Sequence, residues 1–167
     1  MQIGKIFNKI ENRFKNHKFS EIRFNSRECK HNDIFFAIKG SKKNGKKFIN
    51  EAIKKGAKTI VSDQKFQGYK NDILFVKSKN PRKLLSLTAA KIYKNKPKSL
   101  IAVTGTNGKS SIANFFFQIL KLCNKKVATI GTLGINSDGR STSSMNTTLD
   151  ALNLNKILEK QKKNKIE

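Results

Sequence analysis

Apolar residues along this chain fall into two alternating rhythms. One is the short unbroken run: Ile34-Phe35-Phe36-Ala37-Ile38, Thr59-Ile60-Val61, Ile73-Leu74-Phe75-Val76, Leu100-Ile101-Ala102-Val103 and Val127 to Ile130. Runs of this length, rich in Ile, Val and Phe, predict strands buried on both faces. Glu21 to Phe24 reads as a further strand that runs into Asn25-Ser26-Arg27. The other rhythm is helical: Phe48, Ile49, Ala52 and Ile53, then Leu84, Leu85, Leu87, Thr88 and Ile92. Gly56 sits where a helix C-terminus wants glycine, and Asn80-Pro81 supplies a cap residue and a first-turn proline. Ile3 to Ile10 predicts a short amphipathic helix. Lys109 to Cys123 and Leu149 to Lys160 predict two more, with a polar loop from Ser137 to Thr148 before the last.

Strands alternating with helices predict an α/β fold with a parallel sheet. Lys94-Asn95-Lys96-Pro97-Lys98 is polar, charged and contains proline, so it reads as a linker. The expected division is a small N-terminal α/β domain, residues 1–95, and the start of a phosphate-loop-type parallel α/β domain, residues 99–167. Two strands and two helices cannot close a doubly wound core, because a parallel sheet needs several strands and both faces covered. The chain is therefore expected to be the N-terminal part of a larger protein.

Composition changes this picture little. The net charge of +25 invites a nucleic-acid reading. Yet the basic residues are nearly all lysine, with arginine only at 13, 23, 27, 82 and 140, and they are spread along the chain. Base and phosphate clamps favour arginine forks. A solvated lysine surface is expected, with nucleic acid unlikely as a partner, though the charge helps attract an anionic nucleotide. No apolar run approaches the roughly 18 residues of a membrane span, and the first residues lack a secretory pattern. A cytoplasmic protein without a membrane partner is expected, with Cys29 and Cys123 as reduced thiols. His17 and His31 show no partner and read as surface or packing residues.

The chemistry concentrates at Val103 to Ser111, V-T-G-T-N-G-K-S-S. The usual phosphate loop has Gly, four residues, then Gly-Lys-Ser/Thr. Here the first glycine is replaced by Val103. The setting is nonetheless right, with an apolar run before the loop and a helical pattern after it. Gly105 and Gly108 let backbone amides approach an anion, and the helix N-terminus adds a favourable dipole. Lys109 brings a positive charge to the β/γ-phosphates, and Ser110 brings a hydroxyl suited to Mg2+. The competing reading is an ordinary glycine turn before a helix.

T-G-T-N-G-K-[ST] after an apolar strand resembles the ATP loop of the Mur ligase family, which does not need the first glycine. S-R-E-C-K-H-N-D-I-F-F-A-I-K-G, Ser26 to Gly40, and N-G-K-K-F-I-N-E-A-I-K-K-G-A, Asn44 to Ala57, resemble the family's N-terminal domain. N-T-T-L-D-A-L-N-L, Asn146 to Leu154, and Gly131-Thr132-Leu133-Gly134 are similar to the branch that adds the third residue of the peptidoglycan stem peptide. The resemblance implies an ATP- and Mg2+-dependent ligase acting through an acyl phosphate. Its substrates would be a UDP-N-acetylmuramoyl dipeptide and a diamino acid or other third residue, and a monomer is expected.

By the same resemblance, Gly105, Thr106, Asn107, Gly108, Lys109, Ser110 and Ser111 bind ATP. Lys109 is the catalytic residue and Ser110 the metal ligand. Phe24, Ser26, Ser41, Lys42 and Lys43 hold the UDP-sugar, and Asn146, Thr147 and Thr148 the muramoyl-peptide. Plainer roles stay open. Ser26-Arg27 also suits a turn, Phe24 a core position, Ser41 to Lys43 a solvated loop, and Thr148 a helix cap. Leu149 stands where the signature has proline, and Asn25 where an aspartate is usual. The family's later acidic metal ligand, its carbamylated lysine and its C-terminal domain have no counterpart in this sequence. The chain alone is expected to be inactive. The alternatives are a non-catalytic UDP-muramoyl or nucleotide-binding module, and a basic phosphate-loop protein that binds nucleic acid.

Overall fold

The short apolar runs of the first half become the strands of one sheet. The computed structural model describes residues 1–7, 10–40, 43–137, 140–142 and 149–166. Strands β1 (Ile22–Arg23), β2 (Ile34–Phe36), β3 (Thr59–Ser62), β4 (Gly68–Lys70) and β5 (Ile73–Lys77) lie in the order β1-β2-β3-β5-β4. All neighbours are parallel except β4, which runs antiparallel to β5 at the edge. The chain divides into two units, residues 1–92 and 93–167.

Alternation assigns the first sheet's two faces. Phe35, Ala37, Ile60 and Ile73 join Cys29, Ile49, Ala52 and Ala57 in one cluster, which brings in helix α1 (Ile49–Lys54). On the opposite face Phe36 meets Phe7 edge-on, with ring centroids 6.3 Å apart. Helix α2 (Pro81–Ile92) packs against β2 and buries Leu85, Thr88 and Ala89. Each large side chain so enclosed contributes about 1.5–3 kcal/mol. Both faces are covered, as parallel strands require.

Polar ties fix the strand ends. Asp33, 1% exposed, accepts from the Lys30 amide (3.0 Å) and from Arg23 Nε (3.3 Å), joining β1 to the start of β2. The Asn80 side chain accepts from the Lys83 amide (2.9 Å), so the Asn80-Pro81 start of α2 is as expected.

Several expectations change. The described part of Ile3 to Ile10 holds no α-helix, and Asn8 and Lys9 lie outside the described residues. Ile3–Lys5 forms a 3-10 turn, and Ile3, Ile6, Phe7 and Ile10 are buried. Tertiary burial of these residues outweighs the weak local preference of so short a segment. Strand β4 was not legible, because Gly68-Tyr69-Lys70 has no apolar run and gains its order from pairing with β5. His17 is not without partners: Nδ1 meets the Tyr69 hydroxyl and Nε2 the Thr59 hydroxyl, each at 2.9 Å.

The second unit holds helices α3 (Lys109–Leu122) and α4 (Ala151–Lys163) and the strands β6 (Ala128–Gly131), β7 (Gly134–Ser137) and β8 (Arg140–Thr142). The three strands form an antiparallel sheet in chain order. The expected strand over Leu100 to Val103 is not formed, and the expected parallel βαβ unit with it. A strand is made by its ladder, and this segment pairs with no described strand; Leu100 and Ile101 stand 58% and 68% exposed. Strand β8 occupies part of the expected polar loop. Helix α4 is capped by Asp150, whose carboxylate accepts from the Asn153 amide (2.9 Å). Among the described residues no helix is long and apolar enough to cross a membrane.

Candidate functional site

The loop before α3 is built around two glycines in the left-handed region. Gly105 has φ +150 and Gly108 φ +74, conformations that favour glycine. A Cβ at Gly108 would meet nothing within 4 Å, and one at Gly105 would come no closer than 3.7 Å to the Asn107 carbonyl. Gly108 is the N-cap of α3 and provides no side-chain cap. The first helical bond runs from the Ile112 amide to the Gly108 carbonyl (2.9 Å), so the amides of Lys109, Ser110 and Ser111 lie ahead of the ladder. The Lys109 ammonium folds over the loop and donates to the carbonyls of Gly105 and of Thr106 (2.9 Å). Ser110 Oγ lies 3.0 Å from Thr132 Oγ1. Gly105 to Ser111 are exposed.

This arrangement fits a nucleoside triphosphate with its divalent cation. Uncapped amides and the positive end of the helix dipole suit phosphate oxygens. An ammonium fixed at the loop adds charge, and an exposed hydroxyl is a hard ligand suited to Mg2+. Among the described residues no group of three or more His, Cys, Asp or Glu side chains gathers to hold a metal.

In the first unit, topology selects the sheet's C-terminal edge, where ligands bind in open α/β folds. Because β1, β2, β3 and β5 are parallel, their C-terminal ends share one side. Phe24 and Ser26 follow β1, Lys39, Asn44 and Lys46 follow β2, and Asp63 follows β3. A cavity of about 160 Å³ opens there, lined by Ala37, Lys39, Asn44, Lys46, Asp63 and Pro81. Lys46 Nζ pairs with Asp63 Oδ1 at 2.6 Å, and this contact holds the Asp63 carboxyl below its usual range. Arg82 donates to the Lys39 carbonyl (3.3 Å).

The expected substrate residues fare differently. Phe24 is 37% exposed, neither core nor fully free. Ser26 is buried, and its Oγ donates to Glu51 Oε2 at 2.8 Å. Lys43 is exposed, and its carbonyl accepts from the Gly40 amide (2.8 Å). Ser41, Lys42, Asn146, Thr147 and Thr148 lie outside the described residues. Lys39, Lys46 and Asp63 of the cavity and Thr132 beside the loop are not among the residues expected from the sequence. The signal for Lys39 and Asp63 is their position just beyond the ends of β2 and β3; Lys46 arrives from a 3-10 turn, Gly45–Phe48, farther along the chain. Cys29 is buried, which pushes its thiol up to about 11 and leaves it a poor nucleophile.

A mostly parallel first sheet, and a second unit in which a glycine loop opens onto an uncapped helix, mark a mixed α/β chain. Residues 18–95 match the catalytic domain of the Mur ligase family, and residues 103–167 the Mur ligase middle domain. The chain belongs to the Mur ligase family. It is 37% identical over 158 residues to the UDP-N-acetylmuramoyl-L-alanyl-D-glutamate–2,6-diaminopimelate ligase of Rickettsia montanensis, covering 92% of this chain and 33% of that protein. It is 39% identical over 169 residues to the same-named ligase of Clostridium tetani, covering 95% and 34%. A solved structure of a ligase of that name superposes over 99% of this chain and 34% of its own, with a TM-score of 0.81 at 25% identity. A MurF structure from Acinetobacter baumannii, at TM-score 0.52 and 19% identity, shares the fold over 83% of this chain. The chain spans about a third of the length of the curated relatives it matches.

Proposed function

We propose that this chain is the N-terminal portion of an ATP-dependent ligase of peptidoglycan precursor synthesis. The ligase adds the third stem-peptide residue, a diamino acid in the reading favoured by the relatives' names, to UDP-N-acetylmuramoyl-L-alanyl-D-glutamate in the cytoplasm. The observation that carries this reading is the loop. Gly108 opens α3 without a cap, directly before Lys109 and Ser110, in a chain 37–39% identical to ligases of that name.

Mg2+-ATP, when bound, supplies the phosphoryl group that activates the substrate carboxylate as an acyl phosphate. The chain's own residues bind and orient. Gly105 and Gly108 let the backbone close on phosphate, and Thr106, Asn107 and Ser111 complete the loop. The amides at the start of α3 donate to phosphate oxygens. Lys109 exchanges its loop carbonyls for phosphate oxygens and neutralises the charge that shifts as the phosphoryl group leaves. Ser110 offers its hydroxyl to the cation. Phe24, Ser26, Ser41, Lys42 and Lys43, with Lys39 and Lys46 of the strand-end cavity, hold the UDP-sugar. Asn146, Thr147 and Thr148 hold the muramoyl-peptide. We assign UDP-sugar binding to residues 1–95 and ATP binding to residues 99–167. By itself the 167-residue chain is expected to bind both ligands without turnover.

Equilibrium titration with ATP and, separately, with the UDP-muramoyl dipeptide tests this. Lys109→Ala is expected to weaken ATP binding by at least about tenfold, since it removes charge-assisted hydrogen bonds, and to leave the UDP ligand bound as before. A chain that ignores both ligands, or a variant that binds ATP like the parent, would sink the assignment.

A further inference from the structure

Thr132 has no role in the scheme above, yet its hydroxyl reaches the loop. Ser110 Oγ and Thr132 Oγ1 are 3.0 Å apart across 22 residues of sequence. They come from different elements, Ser110 from the first turn of α3 and Thr132 from the turn between β6 and β7. That turn is tight. Gly131 pairs with Gly134, leaving Thr132 and Leu133 at the corners, and Gly134 takes the positive φ of +96. Helix α3 packs against β6, which holds the turn beside the loop.

The geometry points to Thr132 as a positioning residue for the cation ligand Ser110, an inference that rests on the nucleotide reading of the loop. A serine hydroxyl that coordinates a cation does so through an oxygen lone pair. Its proton becomes more acidic and needs an acceptor on the far side. Thr132 Oγ1 is placed to be that acceptor. The bond selects the serine rotamer and leaves the free lone pair to face the cation, as outer-shell partners do for metal ligands. It also makes the β6–β7 turn sensitive to whether a metal-bearing nucleotide is present.

The test uses the 167-residue chain and a fluorescent ATP analogue, titrated in Mg2+ and again in EDTA. Thr132→Val keeps the shape and removes the acceptor. It is expected to lower affinity in Mg2+ by about tenfold or more and to leave affinity in EDTA unchanged. Thr132→Ser is expected to restore the Mg2+ value. In the unliganded chain, the Thr132 methyl resonance is expected to move when Ser110 is replaced by alanine. Equal affinity of Thr132→Val and parent in Mg2+ overturns the proposal. So does an equal loss in both buffers, which would mark a purely structural role, and so does a Thr132 methyl that ignores Ser110→Ala. If the parent binds the analogue in neither buffer, the nucleotide reading fails and this inference falls with it. If the parent binds and only the Thr132 arms fail, the loop assignment stands alone.

Discussion

At the scale of single residues, His17 shows how a side chain with no legible role acquires one. Nothing near it in sequence predicts its partners, because Thr59 and Tyr69 reach it only after β3 and β4 have formed. Both ring nitrogens meet hydroxyls, which suits a neutral ring. Partial burial lowers its pKa below the usual histidine value. The folded state therefore resists protonation more than the unfolded state does. The unfolded chain binds the extra proton as pH falls through its own value near 6.5. The stabilisation by neutral His17 is fully present above that pH and is lost progressively below it. Urea unfolding at pH 7.5 and pH 5.5 is expected to show a larger loss for the parent than for His17→Asn. Equal losses would mean that the ring is free to protonate in the folded chain. Ser26 carries a similar lesson. The Ser26-Arg27 pair is legible in the sequence, but the buried bond to Glu51 depends on α1 packing beside the Ser26 turn.

At the scale of elements, helix starts were more legible than helix ends. Asn80-Pro81 and Gly108-Lys109 carry their chemistry in the sequence. Three helices end alike, each with the second residue past the helix in the left-handed region: Gly56 after α1, Asn124 after α3 and Lys165 after α4. In each case the residue after it donates back to the third-last helical carbonyl, as Ala57 does to Ala52 (3.0 Å), Lys125 to Leu120 (2.9 Å) and Ile166 to Gln161 (3.1 Å). This is the Schellman closure. Only the glycine announced itself, since asparagine and lysine occupy the same conformation at a cost. A methyl group at Gly56 would lie 2.9 Å from the His31 backbone. Gly56→Ala is expected to destabilise the first unit by about 2 kcal/mol or more, combining backbone strain with that clash. Asn124→Gly relieves strain with no clash to make, and is expected to slow hydrogen exchange in the last turn of α3 by roughly twofold to fivefold, a few tenths of a kcal/mol to about 1. Faster exchange in the glycine variant would contradict the left-handed assignment.

At the scale of the whole molecule, the two halves differ in how well pattern predicts structure. In the first unit each apolar run finds neighbours, so β2, β3 and β5 fall where the sequence puts them. The same rhythm at Leu100 to Val103 yields no strand, because a buried strand needs partners that local pattern cannot supply. Helix α3 shows the same lack from another side. Ile112, Phe115, Phe116, Ile119 and Leu122 recur at helical spacing, yet all are between 41% and 84% exposed. A contiguous apolar stripe of this kind marks a surface made to be covered. The stripe predicts that the 167-residue chain binds the dye ANS in the absence of denaturant. Replacing Phe115 and Ile119 together by lysine interrupts the stripe at its centre and is expected to roughly halve the dye signal, with the helix content by circular dichroism unchanged. Dye binding that is absent from the parent would mean that the stripe is already covered in solution. Dye binding that persists undiminished in the double variant would locate the exposed apolar surface elsewhere, with Leu100 and Ile101 the next residues to change.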